Sequence, residues 1–84
     1  MHYVYVLQSV VDGRFYTGCT GDLRKRFQQH IDGEVPATHQ RTPLKLIYYE
    51  ACLDEKDAFR REKYLKTTYG KRYIRVRCKN YFTG

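Results

Sequence analysis

Residues 3–30, YVYVLQSVVDGRFYTGCTGDLRKRFQQH, decide how this chain folds. Tyr3, Val4, Tyr5, Val6 and Leu7 are β-formers in one short run without polar alternation, the pattern of a strand covered on both faces. Asp12-Gly13 follows as a turn dipeptide, because glycine accepts positive φ at no steric cost. Phe15-Tyr16-Thr17 then resumes the β pattern, so the opening reads as a hairpin. Thr20, Gly21 and Asp22 form a capping segment ahead of Leu23, Phe27 and Ile31. Their i, i+4, i+8 spacing puts one apolar stripe on a helix over about 22–32 that stops at Gly33.

Working outward, residues 33–43 carry Gly33, Pro36 and Pro43 with Thr38, His39, Gln40 and Arg41 between the prolines. This reads as an exposed loop of the kind that often carries binding residues. Leu44 to Glu50 reads as a third strand, and Asp54 caps a second helix whose first turn holds Glu55 and Asp57 against the positive dipole end. Ala58, Phe59, Glu62 and Leu65 continue at helical spacing, and Tyr69-Gly70 reads as the end of that helix. The last segment has two readings. Tyr73, Arg75 and Arg77 alternate with Ile74, Val76 and Cys78 as in a strand, while Ile74, Cys78 and Phe82 share one helical face; a short helix is favoured. The sum is an α+β chain (α/β in the broad sense) in the order β-β-α-β-α-α. Its small, mainly antiparallel three-stranded sheet needs helices to cover its apolar face.

Eighty-four residues suit one domain, here taken as 1–84. No apolar run approaches the roughly 18 residues a membrane helix needs, and MHYVYVLQ lacks a basic leader, so a soluble cytoplasmic protein without membrane contact is expected. Cys19, Cys52 and Cys78 are odd in number and contain no CxxC pair, which argues against a disulfide framework and a zinc site. No Ser/His/Asp or Cys/His constellation, phosphate-binding glycine loop or paired metal carboxylates stands out, which removes most standard enzyme classes.

The formal charge of +7 is unevenly placed. Residues 1–62 hold nine basic and nine acidic side chains, whereas the segment from Lys63 onward holds seven basic and none acidic. Tyr64, Tyr69, Tyr73, Tyr81 and Phe82 are interleaved with those charges. Such a segment suits a polyanion, since Lys and Arg release counterions from phosphates and aromatic rings stack on bases. A solvated basic helix explains the same run equally well.

Tyr3-Val4-Tyr5, then Tyr16-Thr17-Gly18, then Asp22 to His30, and finally Arg60-Arg61-Glu62-Lys63 resemble, in that order, the GIY-YIG nuclease domain. The likeness is to the small standalone bacterial members, similar to the N-terminal nuclease domain of the excision-repair C subunit. It covers nearly the whole chain. By position it implies that Tyr5 and Tyr16 line the active site and orient or activate water, that Arg26 is the essential helix-one arginine, and that His30 lies beside the scissile phosphate. It further implies that Glu62 binds one divalent metal, Mg²⁺ or Mn²⁺. The expected activity is DNA endonuclease, on double-stranded, branched or damaged DNA, in a repair setting. His39, Arg41, Lys63, Lys66, Lys71, Arg72 and Arg75 are the expected backbone contacts, with His39 and Arg41 also readable as solvated loop side chains, and a protein partner for targeting stands beside DNA.

Elementary chemistry suits these residue types. Phosphodiester hydrolysis adds negative charge to the phosphoryl oxygens, so a preorganised arginine fork stabilises the transition state more than the ground state. A lone Glu holds Mg²⁺ because this ion keeps several waters and takes phosphate as a ligand. A tyrosine of ordinary pKa, about 10, is a poor base at neutral pH; Tyr5 either has that value lowered by a neighbouring positive charge or acts by hydrogen bonding to water. Structural roles compete with each assignment. Tyr5 and Tyr16 also fit as packed aromatics, Arg26 as one of three solvated charges, and Glu62 as the partner of Lys66 in an i,i+4 surface bridge.

Overall fold

A computed structural model describes all 84 residues. It contains β1 (His2–Ser9), β2 (Phe15–Thr20), α1 (Leu23–Ile31), β3 (Leu44–Cys52), α2 (Glu55–Leu65), α3 (Thr68–Arg77) and α4 (Lys79–Thr83). The sheet runs in the order β2-β1-β3 and is antiparallel throughout.

The central place of β1 accounts for its unbroken run of β-formers. Val4, Tyr5, Val6 and Leu7 are all buried, alternating between two faces. Val4 and Val6 meet Ala58 and Leu65 of α2 and Ile74 of α3 on one side. Tyr5 and Leu7 join Leu44 on the other, where Leu23 and Phe27 of α1 pack. Each such aliphatic side chain contributes about 1.5–3 kcal/mol by leaving water. Ile31, at the end of the expected α1 stripe, is 46% exposed.

The turn chemistry follows expectation. Gly13 takes φ +72°, and Asp12 Oδ1 accepts from Arg14 N–H at 2.8 Å. Asp22 Oδ1 caps α1 by accepting from Lys25 N–H, and Gly33 takes φ +74° just beyond the helix. Asp54 caps α2 in the same way through Lys56 N–H.

Two expectations need correction. Tyr69-Gly70 does not end α2. That helix stops at Leu65, and Gly70 sits in the first turn of α3, its N–H held by the Thr67 cap hydroxyl at 3.1 Å. Glycine is required there by a close approach of backbones, since a Cβ would stand 2.1 Å from the Tyr64 carbonyl oxygen. The 33–43 segment is not simply an exposed loop, because Val35 and Thr38 are buried against the body. Its far end is tied down where Ser9 Oγ donates to the Arg41 carbonyl at 2.7 Å.

The ambiguous final segment is helical, and a further short helix, α4, follows it. Phe82 of α4 stacks on Phe15 of β2 at 5.8 Å, and the Arg75 guanidinium lies 4.8 Å from the Phe15 ring. No helix is long and apolar enough to cross a membrane.

Candidate active site

The hairpin, α1 and α2 meet around an open cleft of about 430 Å³, and Tyr5, Tyr16, Arg26, His30 and Glu62 all line it. Strand pairing sets Tyr5 opposite Gly18. A Cβ on that glycine would stand 2.3 Å from the Tyr5 hydroxyl, so the tyrosine reaches across β2 only because residue 18 has no side chain. Arg26 and His30 lie one helical turn apart on α1 and so share a face. Glu62 enters from α2 on the opposite side.

Tyr5 Oη lies 2.9 Å from His30 Nε2, and His30 Nδ1 lies 2.7 Å from Thr38 Oγ1. Burial pushes the His30 pKa below its ordinary value, and the nearby Arg26 charge pushes it the same way, so the ring is neutral at neutral pH. Burial pushes the Tyr5 phenol up against the downward pull of Arg26, so the hydroxyl keeps its proton. Of the two routes open to Tyr5 in the sequence, hydrogen bonding is the one this environment supports. Cys19, also in the cleft, has its thiol pushed up by burial and stays protonated.

Tyr16 contributes its ring to the wall and donates its hydroxyl proton to Asp12 Oδ2 at 3.2 Å. Glu62 keeps 20% of its side chain exposed and pairs with Lys66 at 3.0 Å, the i,i+4 bridge anticipated from the spacing. No three His, Cys, Asp or Glu side chains gather anywhere in the molecule. A single carboxylate on an open cleft fits a hard divalent ion that keeps most of its waters and takes phosphate oxygens as ligands.

The expected backbone contacts divide by position. Lys66 and Lys71 line the cleft. Lys71 and Arg75 also line an adjoining groove with Arg14, which shares Phe15 and Tyr16 with the cleft wall. Lys63 is exposed on α2, and the Arg72 guanidinium lies 5.8 Å from the Tyr69 ring. His39 and Arg41 are outside the cleft lining; His39 Nδ1 meets the Pro36 carbonyl at 2.8 Å, and Arg41 pairs with Asp12 at 3.2 Å. Sequence reasoning missed Thr38 and Asp12 as site residues. Asp12 carried only a turn signal, and nothing local marks a threonine between two prolines as buried.

An antiparallel sheet led by a hairpin, with two tyrosines, an arginine, a histidine and a glutamate lining one cleft, makes this a small α+β domain with a polar site. The chain belongs to the GIY-YIG family, a family of nucleases: the family model for the GIY-YIG catalytic domain matches residues 1–75. It is similar to the UPF0213 protein of Clostridium perfringens, with 40% identity over 67 residues, covering 79% of this chain and 71% of that one. The UPF0213 protein of Bacillus licheniformis is 41% identical over 66 residues, 77% of this chain and 67% of the relative. That of Halobacterium salinarum is 39% identical over 67 residues, 79% and 86% respectively. These names carry no activity. No solved structure matches the chain significantly.

Proposed function

We propose that the protein is a divalent-metal-dependent endonuclease that hydrolyses phosphodiester bonds in DNA, double-stranded or branched. The observation that carries this reading is the convergence of Tyr5, Arg26, His30 and Glu62, drawn from three elements of structure, on one cleft bordered by Lys66 and Lys71. Arg26 is half-buried on α1 and clamps the phosphoryl oxygens, where charge grows in the transition state. Tyr16, whose proton is committed to Asp12, offers its oxygen lone pairs to the attacking water. Tyr5, backed by His30, completes the orientation of that water. Glu62 would hold Mg²⁺ or Mn²⁺, exchanging its Lys66 partner for the ion. When bound, such an ion polarises the phosphoryl oxygen and offsets its charge. Lys71, Arg75 and Arg14 extend the positive surface beyond the cleft and hold the backbone without reading bases.

The test is cleavage of labelled single-stranded, duplex, flapped and four-way DNA with Mg²⁺ or Mn²⁺ by wild type, Arg26→Ala and Glu62→Ala. A loss of about a hundredfold or more in both variants, with DNA binding largely kept, is expected for groups that act on the transition state. Undiminished cleavage by Glu62→Ala would refute the metal role. No cleavage by wild type, alongside salt-sensitive binding, would replace this reading with a nucleic-acid-binding module that keeps the fold without turnover.

A further inference from the structure

The buried chain Thr38–His30–Tyr5 allows two arrangements of its protons, and hydrogen-bond accounting separates them. Thr38 is 1% exposed, and its hydroxyl has one partner, His30 Nδ1. Were the ring proton on Nδ1, it would donate to Thr38 Oγ1, and the threonine's own proton would be buried without an acceptor. Buried donors seldom tolerate that. With Nδ1 unprotonated, Thr38 donates to it and the ring proton sits on Nε2, where it donates to Tyr5 Oη. Tyr5 then accepts through its oxygen, with the Arg26 guanidinium beside it as a second donor, so its own proton is left to the cleft that the residue lines. The second arrangement leaves only the Tyr5 proton without a protein acceptor, available to whatever occupies the cleft, whereas the first strands the proton of Thr38, the more deeply buried of the two.

Resting on the nuclease reading above, we propose that Thr38 is a positioning residue that fixes His30 as the Nε2–H tautomer and thereby makes Tyr5 a hydrogen-bond donor to oxygen atoms bound in the cleft, not a base. Thr38 acts at one remove: its hydroxyl bonds to His30 alone, so its influence passes through the imidazole. The 33–43 segment is thus a strap that carries one hydroxyl to the back of the histidine. A neutral ring is what makes the tautomer meaningful, and burial together with the Arg26 charge keeps the ring neutral.

The experiment is nitrogen-15 NMR of the His30 ring at about pH 8, above the range where an ordinary imidazole titrates, in wild type, Thr38→Val and Thr38→Ser. Wild type and Thr38→Ser are expected to show a protonated Nε2 and a bare Nδ1. Thr38→Val, nearly isosteric but without the hydroxyl, is expected to lose that preference. Cleavage should follow the same pattern, with kcat of Thr38→Val down about tenfold, KM little changed, and Thr38→Ser near wild type. A wild-type ring protonated on Nδ1 overturns the proposal, as does a Thr38→Val ring with unchanged signals. If Thr38→Val does not fold, the wild-type and Thr38→Ser spectra decide. The ring signature is read without substrate, so a protein that shows protonated Nε2 and cuts nothing supports the tautomer assignment while refuting the nuclease reading.

Discussion

His30 is the side chain on which the most constraints converge. It is buried, flanked by Arg26, and bonded at both ring nitrogens. Its unfolded-chain pKa is the ordinary 6.5, and in the fold it is lower because burial disfavours the charged ring. Below pH 6.5 the unfolded state therefore binds more protons than the folded one. The stability this creates is full above that value and is lost as pH falls toward the depressed folded pKa. Urea denaturation is expected to give a lower midpoint at about pH 5.5 than at about pH 7.5, and His30→Gln should remove much of that difference. A wild-type midpoint that rises on acidification would contradict the neutral buried ring. Tyr5, Arg26 and His30 were legible as candidates because their order and spacing match a motif. Thr38 was not, because burial of a loop residue is settled by what packs over it and leaves no local trace in sequence.

At the level of elements, the hydrophobic pattern identified the three strands and the first two helices because each has a face to bury, left α3 ambiguous between strand and helix, and gave no sign of α4. β1 lacks alternation since both of its faces are covered, and α1 and α2 carry apolar residues at helical spacing. The junction of α2 and α3 was misread for a physical reason: Gly70 looks like a local stop, whereas its meaning is tertiary. A methyl at that position would stand 2.4 Å from Leu65 Cα as well as against the Tyr64 carbonyl, and neither backbone atom can step aside cheaply. Gly70→Ala is therefore expected to destabilise by about 1–3 kcal/mol through overpacking, despite the roughly 1 kcal/mol that alanine ordinarily gains over glycine within a helix. Urea denaturation measures this, and a stabilised variant would show that α2 and α3 are not held at this contact.

Across the whole molecule, the clustering of positive charge was plain from sequence, but its relation to the cleft was not. That relation depends on α3 folding back so that Lys71 and Arg75 meet Arg14 beside the hairpin. DNA affinity should fall steeply with salt. Lys71→Ala should reduce the slope of log K against log salt by about 1, the share of one phosphate contact. Arg41→Ala should leave the slope nearly unchanged, because Asp12 already neutralises that guanidinium. Equal effects of the two substitutions would show that the backbone does not run past Lys71. The connectivity of β1 also imposes a sequence of events in time. Its pairing with β2 closes through a short turn, whereas its pairing with β3 joins Ser9 to Leu44. Long closures are the slow ones. The hairpin by itself carries Tyr5 and Tyr16, but the group of side chains lining the cleft is complete only with α1 and α2 docked against the sheet.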